Sequence, residues 1–154
     1  MKKQLLSFFY AFRGIWDAVC TEAHLRFHLT AAFYVLLLSP FFELGAAQYG
    51  VLILLIAAVI AAELFNTAIE NVCDAITKEQ NEYIKRAKDI SAGAVLVLSV
   101  AAVIVAVIFF WDIEVIKSIF AYFAANIHML IILIISAVLA TLFVIFGFGS
   151  KRKR

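Results

Sequence analysis

The sequence predicts an all-α, polytopic membrane helix bundle with an N-terminal amphipathic surface helix and four transmembrane helices. Three observations lead there. Hydrophobic residues make up 66% of the 154-residue chain and mean hydropathy is +1.03, whereas a soluble domain carries roughly 45–50% apolar residues. A single proline leaves long stretches free to stay helical. Four separate segments approach the roughly 20 apolar residues that cross a hydrocarbon core. One compact membrane domain suits this length. The formal net charge of +2 gives no reason to expect a nucleic-acid partner.

The first element is the surface helix. Leu5, Phe8, Phe9, Phe12, Trp16, Val19 and Cys20 recur at three- and four-residue spacing, and Lys2, Lys3, Arg13, Asp17 and Thr21 fill much of the rest. That pattern fits a helix lying in the membrane interface, with its lysines at anionic headgroups. A fifth buried helix is the alternative. The same N-terminal stretch lacks a continuous apolar core and a small-residue cleavage site, so no cleaved signal peptide is expected.

The spans follow at about Leu25 to Phe42, Ala47 to Ala75, Ile90 to Trp111 and Ile127 to Phe148. Ser39-Pro40 through Gly45 ends the first. The charged segment Lys78 to Asp89 joins the second to the third, and Asp112 to Lys117 with an aromatic and alanine stretch joins the third to the fourth. With four spans, both termini and the central loop share one side. That side collects Lys2, Lys3, Arg13, Arg26, Lys78, Lys85, Arg86, Lys88 and the tail Lys151 to Arg154, against Lys117 alone opposite. The positive-inside rule places it in the cytoplasm. Cys20 and Cys73 fall on that side without metal-ligand spacing and are expected as free thiols.

The second span carries the chemistry. Glu63, Asn66, Thr67, Glu70 and Asp74 follow a charge-free apolar run. At roughly 100° per residue their offsets fall within an arc of about 100°, so one face of an apolar helix holds three carboxylates, an amide and a hydroxyl. A carboxylate at membrane depth costs on the order of 3 kcal/mol by insertion scales. Such a stripe implies a partner: a metal ion, a cationic group or a polar substrate. Glu22, at the junction of the surface helix and the first span, adds a further acid. Carboxylates brought together suit magnesium, which takes hard oxygen ligands, and a poorly solvated carboxylate suits a general base. The bland alternative is that these groups only hydrogen-bond neighbouring helices. Lys88 and Asp89 open the third span, where a lysine can meet a phosphate or simply snorkel to the interface. Ser91, Ala92, Gly93 and Ala94 are small and permit close helix approach. His24 and His28 have zinc-like spacing but lack a third ligand nearby. The chain has no Walker loop, GxGxxG or GxSxG.

These residues also carry a resemblance. Glu63, Asn66, Thr67, Ala68, Ile69 and Glu70, with Asp74 four residues on, are similar to the motif E-x-x-N-[ST]-A-I-E-x-x-x-D of the small bacterial integral-membrane diacylglycerol and undecaprenol kinases. Ala87, Lys88 and Asp89, followed by Ala92 to Val95, resemble that family's A-K-D…A-[AG]-A-V segment. Upstream, Arg13 to Trp16 and Glu22 with Phe27 and His28 look most like its Gram-positive undecaprenol kinases. The resemblance covers roughly residues 8 to 111. It implies a homotrimer of three-span subunits with active sites between neighbouring subunits at the cytoplasmic border of the bacterial inner membrane. It implies transfer of the ATP γ-phosphoryl, with magnesium, to a lipid hydroxyl: undecaprenol, or alternatively diacylglycerol. By resemblance Glu63 is the general base, Glu22 and Glu70 are metal ligands, and Asn66, Asp74, Lys88 and Asp89 hold the nucleotide. Residues 1–111 would then form the lipid kinase core, and 112–154 an additional transmembrane helix with a basic cytoplasmic tail packed on the outside of the trimer. An inactive membrane scaffold and a small transporter are the readings from other classes. The first calls for loss of Glu63, Glu70 or Lys88, and the second for polar residues spread through several spans.

Overall fold

The computed structural model describes residues 2–77, 79 and 81–148, with backbone only for residue 2. Lys78 and the basic tail Lys151 to Arg154, both used to orient the chain, lie outside the described residues, as does the side chain of Lys2. Among the described residues all regular structure is helical: α1 (Lys2–Thr21), α2 (Ala23–Leu38) running into a 3-10 turn (Ser39–Phe42), α3 (Ala46–Ile76), α4 (Glu82–Phe110), α5 (Ile113–Ala125) and α6 (Ile127–Phe146). Four of these are long and apolar enough to cross a membrane: α2 with its turn, α3, α4 and α6. The expected architecture is present.

Local chemistry sets the breaks. Glu22 adopts extended backbone between α1 and α2 and turns the surface helix into the first span. Pro40 sits at the start of the 3-10 turn, where its fixed φ and missing N–H stop α2. Gly45 caps α3, and its N–H donates to Gln48 Oε1 at 2.8 Å. Asn81 Oδ1 accepts from the N–H groups of Tyr83 and Ile84 at 2.9 and 3.3 Å and starts α4. That cap corrects one boundary. The charged residues Glu82 to Asp89, read from the sequence as part of a connection, are the first two turns of α4, so Lys88 and Asp89 stand on a rigid helix.

A second correction concerns the join between the third and fourth spans. Asp112 Oδ1 accepts from Glu114 and Val115 N–H at 3.0 and 3.1 Å, and the chain continues as the 13-residue helix α5. At 1.5 Å per residue α5 is about 20 Å long, too short to span. The capping aspartate ahead of an apolar-periodic run is a helix-start signal.

α3 has 31 residues, about 46 Å at 1.5 Å per residue, against a hydrocarbon core of about 30 Å. Glu63 lies about 26 Å from its start and Asp74 about 42 Å. By length the apolar first half of α3 crosses most of the hydrocarbon, and the stripe runs from just inside its far boundary toward the headgroup layer. The antiparallel pair α3–α4 is the most extensive packing in the chain. The small core of Ala18, Val19 and Leu25, flanked by Leu29, Ile60, Leu64 and Phe143, lies where α1, α2, α3 and α6 meet. The fourth span lies along α2 and α5, among the described residues, and not along the third span. Little of α4 and none of α6 is buried within one chain, at 6% and 0% of their most apolar windows. Their outer faces are left for hydrocarbon or for further copies.

Candidate active site

Three helices close around the polar end of α3, and each takes a different member of the stripe. Glu63 is buried, at 5% exposure, and points to α2, where His28 Nε2 lies 3.1 Å from its Oε1. The imidazole gives this intramembrane acid a polar neighbour, which burial of a carboxylate calls for. Asn66 faces α4. Its Oδ1 accepts from Ser91 Oγ at 2.6 Å, and its Nδ2 donates to Glu70 Oε1 at 2.9 Å. The Ser91 hydroxyl also lies 2.9 Å from the Lys88 carbonyl, so its one hydrogen is shared between two acceptors. Asp74, the outermost of the stripe and exposed, receives Lys88 Nζ at 2.5 Å. Thr67 is buried and faces α1, across a cleft of about 540 Å³ that Tyr10, Asp17, Thr21 and Asn71 also line.

The stripe is thus cross-linked to α2 and α4 through a chain of short polar contacts. The network orients each group: Asn66 is held at both ends, and one Glu70 oxygen is taken by the amide while the other remains available. The side chain of Glu22, at the joint of α1 and α2, makes no capping hydrogen bond to the first turn of α2, and the residue is half-buried. Asp89 is exposed on the second turn of α4. Lys88 is half-buried, whereas its neighbours Lys85 and Arg86 are exposed.

Below this polar end lies an apolar cleft of about 100 Å³ between α2, α3 and α4, lined by Ala31, Ala32, Leu52, Val59 and Ala102 and reached at its head by His28. The His28–Glu63 pair therefore stands where hydrocarbon ends and polar groups begin. A carboxylate stands there at the head of an apolar cleft, with a lysine and further carboxylates a few turns away. That is an arrangement for phosphoryl transfer to a lipid alcohol, a reaction that needs alignment and charge neutralisation more than covalent chemistry from the protein.

The model of the family described as prokaryotic diacylglycerol kinase matches residues 9–110. The chain belongs to that family. The prokaryotic diacylglycerol kinases are lipid kinases that act in membranes, with ATP as co-substrate. Among curated relatives the chain is similar to undecaprenol kinase of Bacillus subtilis (strain 168), at 40% identity over 104 residues, 68% of this chain and 85% of the relative. It is similar to diacylglycerol kinase of Synechocystis sp. at 39% over 102 residues, 66% of this chain and 58% of the relative. Diacylglycerol kinase of Escherichia coli (strain K12) is 32% identical over 103 residues, 67% of this chain and 84% of the relative. The match to the prokaryotic diacylglycerol kinase family ends at the C-terminus of α4, and α5 and α6 lie beyond it.

Sequence reasoning missed two residues of this network. In the sequence His28 carries part of the family resemblance and zinc-like spacing to His24, and neither gives it a role beside Glu63. The structure turns His28 to Glu63 and leaves His24 exposed, and no three His, Cys, Asp or Glu side chains gather to hold a metal among the described residues. Ser91 was read only as a small residue. Its position one turn after Lys88, on the face that meets α3, was the available signal. Cys20 and Cys73 are free thiols, as expected.

Proposed function

We propose that this lipid kinase phosphorylates undecaprenol to undecaprenyl phosphate with ATP and magnesium, and that diacylglycerol is the second reading. The observation that carries the site assignment is the buried Glu63 carboxylate, 3.1 Å from His28 Nε2 at the head of an apolar cleft. Glu63 takes the proton from the lipid hydroxyl as the oxygen attacks the γ-phosphorus. Lys88 Nζ, held toward the stripe by Asp74, has donors to spare for a phosphate oxygen. Asn66, Asp74 and Asp89 hold the nucleotide from α3 and α4.

The donor set fits magnesium. Glu22 and Glu70 are hard oxygen ligands, and magnesium is usually bound through one or two carboxylates with waters and phosphate oxygens completing the shell. When bound, it supplies charge neutralisation on the phosphates. The wide exposed faces of α4 support a homotrimer whose sites form between neighbours. The distribution of Lys and Arg supports an inner-membrane protein with both termini in the cytoplasm.

Undecaprenol is preferred on the similarity to the B. subtilis undecaprenol kinase over 85% of that relative. The 39% identity to the Synechocystis diacylglycerol kinase keeps the second reading in play. The deciding experiment presents purified protein with undecaprenol and with diacylglycerol in matched mixed micelles and follows label transfer from γ-labelled ATP. Preferential labelling of undecaprenol is expected. Higher kcat/KM with diacylglycerol overturns the substrate assignment, and labelling of neither overturns the kinase assignment for this chain.

A further inference from the structure

Arg26 lies in the first turn of α2 at 5% exposure, yet its charge is met by carbonyls rather than a carboxylate. Its Nη1 donates to Val19 O at 3.0 Å and to Cys20 O at 3.3 Å, in the last turn of α1. Its Nε and Nη2 both donate to Val144 O, at 3.2 and 3.1 Å, in the last turn of α6. Two helices thus point their negative C-terminal ends at one guanidinium, which complements both dipoles and supplies donors for carbonyls that lack intrahelical partners. A planar fork with five donors can serve two helix ends at once, where an ammonium cannot with the same geometry.

The surroundings are shaped for this contact. Gly147, just past α6, has φ +59°, and a Cβ there would stand 3.0 Å from Arg26 Cζ and Nη1. Only glycine gives both that backbone and that approach. Phe148 stacks on Trp16 of α1 with centroids 4.9 Å apart, and Phe143 packs on the Ala18, Val19 and Leu25 core. The end of the fourth span is therefore fastened to the elbow between α1 and α2. That elbow carries Glu22 one turn before Arg26, with the Arg26 N–H donating to Glu22 O at 3.3 Å. Two residues after Arg26 it carries His28, the partner of Glu63.

We propose that the fourth span is a brace for this elbow and that Arg26 is the positioning residue through which it acts, setting where the Glu22 carboxylate stands. The functional half of this inference rests on Glu22 as a ligand of the magnesium–nucleotide complex. Arg26 touches no reacting atom. Its effect is expected on KM for Mg–ATP, because a general loss of folding lowers kcat with the active fraction and leaves KM unchanged.

The test uses full-length protein in membranes or micelles, with kcat and KM for Mg–ATP measured per folded enzyme for R26M, R26K, G147A and the double variant R26M/G147A. Loss of a group bonded directly to a metal ligand typically costs about 10- to 100-fold, and Arg26 acts one step further out, so the lower end of that range applies. R26M is expected to raise KM for Mg–ATP by about 10-fold, with R26K intermediate and G147A smaller. R26M/G147A is expected to match R26M alone, since Gly147 acts by letting α6 reach the guanidinium. Wild-type KM in both R26M and G147A overturns the brace, as does a double effect equal to the sum of the singles. If R26M does not accumulate as folded protein, R26K against R26K/G147A carries the same cycle. E22Q, measured alongside, separates the two layers. Unchanged Mg–ATP affinity in E22Q removes the metal role of Glu22, while non-additivity between positions 26 and 147 still upholds the mechanical link.

Discussion

The polar end of α3 and the whole of α6 are both helical and both parts of apolar membrane spans, yet the chain uses them in opposite ways. α3 buries Glu63 and Thr67 and ties Asn66 and Asp74 across to α4. α6 is the more apolar of the two, with mean hydropathy 3.1 against 2.3 for the most apolar window of each. It reaches the rest of the chain through two polar contacts among the described residues: Tyr34 Oη with Ser136 Oγ at 3.0 Å, and Arg26 with the Val144 carbonyl. In lipid the hydrophobic effect does not draw one apolar helix to another, so hydrogen bonds and close packing decide which helices meet. α3 is held by a network that also has chemistry to do. α6 is held at two points, neither of which can enter a phosphoryl transfer. The difference teaches that polar groups inside a span must be sorted by what they face before they are read as function.

Substitutions can break or sharpen that contrast, beginning at the stripe. E63Q is expected to lose turnover by about 10²- to 10⁴-fold while Mg–ATP binding persists, because an amide cannot accept the hydroxyl proton. Lipid phosphorylation near wild type in E63Q would remove Glu63 from the mechanism. K88M is expected to lower kcat/KM by roughly 10- to 100-fold, since it removes a charge-assisted contact. The exposed neighbours supply the comparison: K85M and R86M should do far less, and three equal losses would mean a shared solvated patch. E70Q and E22Q each remove a hard oxygen ligand, and titration in the presence of magnesium should show weakened nucleotide binding by about 10-fold or more.

H28F tests the second link of the stripe. It leaves Glu63 buried without its polar neighbour, and kcat is expected to fall by about 10-fold with H28Q recovering part of it, since glutamine keeps a polar group at that place. Equal kcat in H28F, H28Q and wild type would show that the pair serves packing alone. The smallest effect on kcat is expected from removing α6, whose loss should show instead in KM for Mg–ATP. A chain ending after Ala125 and inserted in the native orientation, checked by thiol labelling in the loop before α4, should keep measurable turnover with kcat reduced by less than about 10-fold. If it binds Mg–ATP yet phosphorylates no lipid, the fourth span belongs to the lipid site and the contrast between the two regions fails.

The sequence by itself determined the helical class, the four spans and the face of α3 that carries the acids. Each depends on periodicity and transfer cost, which are local properties: a run of about 20 apolar residues has to span, and residues at offsets 0, 3, 4, 7 and 11 have to share a side. The family was legible for a similar reason, since the E-x-x-N-[ST]-A-I-E run and the A-K-D segment are contiguous. Capping chemistry is written in the sequence too, at Asn81 and Asp112, where it outweighs the charge and loop composition around it. What the tertiary structure alone decided are the pairings across long separations. His28 to Glu63, Ser91 to Asn66 and Arg26 to Val144 join residues 35, 25 and 118 positions apart. No period specifies them, because a hydrogen bond in hydrocarbon depends on which helix faces lie a few ångströms apart, and helix rotation and neighbour choice are properties of the whole bundle. Arg26 shows the limit most clearly. In the sequence it is one more cytoplasmic-side charge, and only the convergence of two helix ends upon it makes it the fastening of the fourth span.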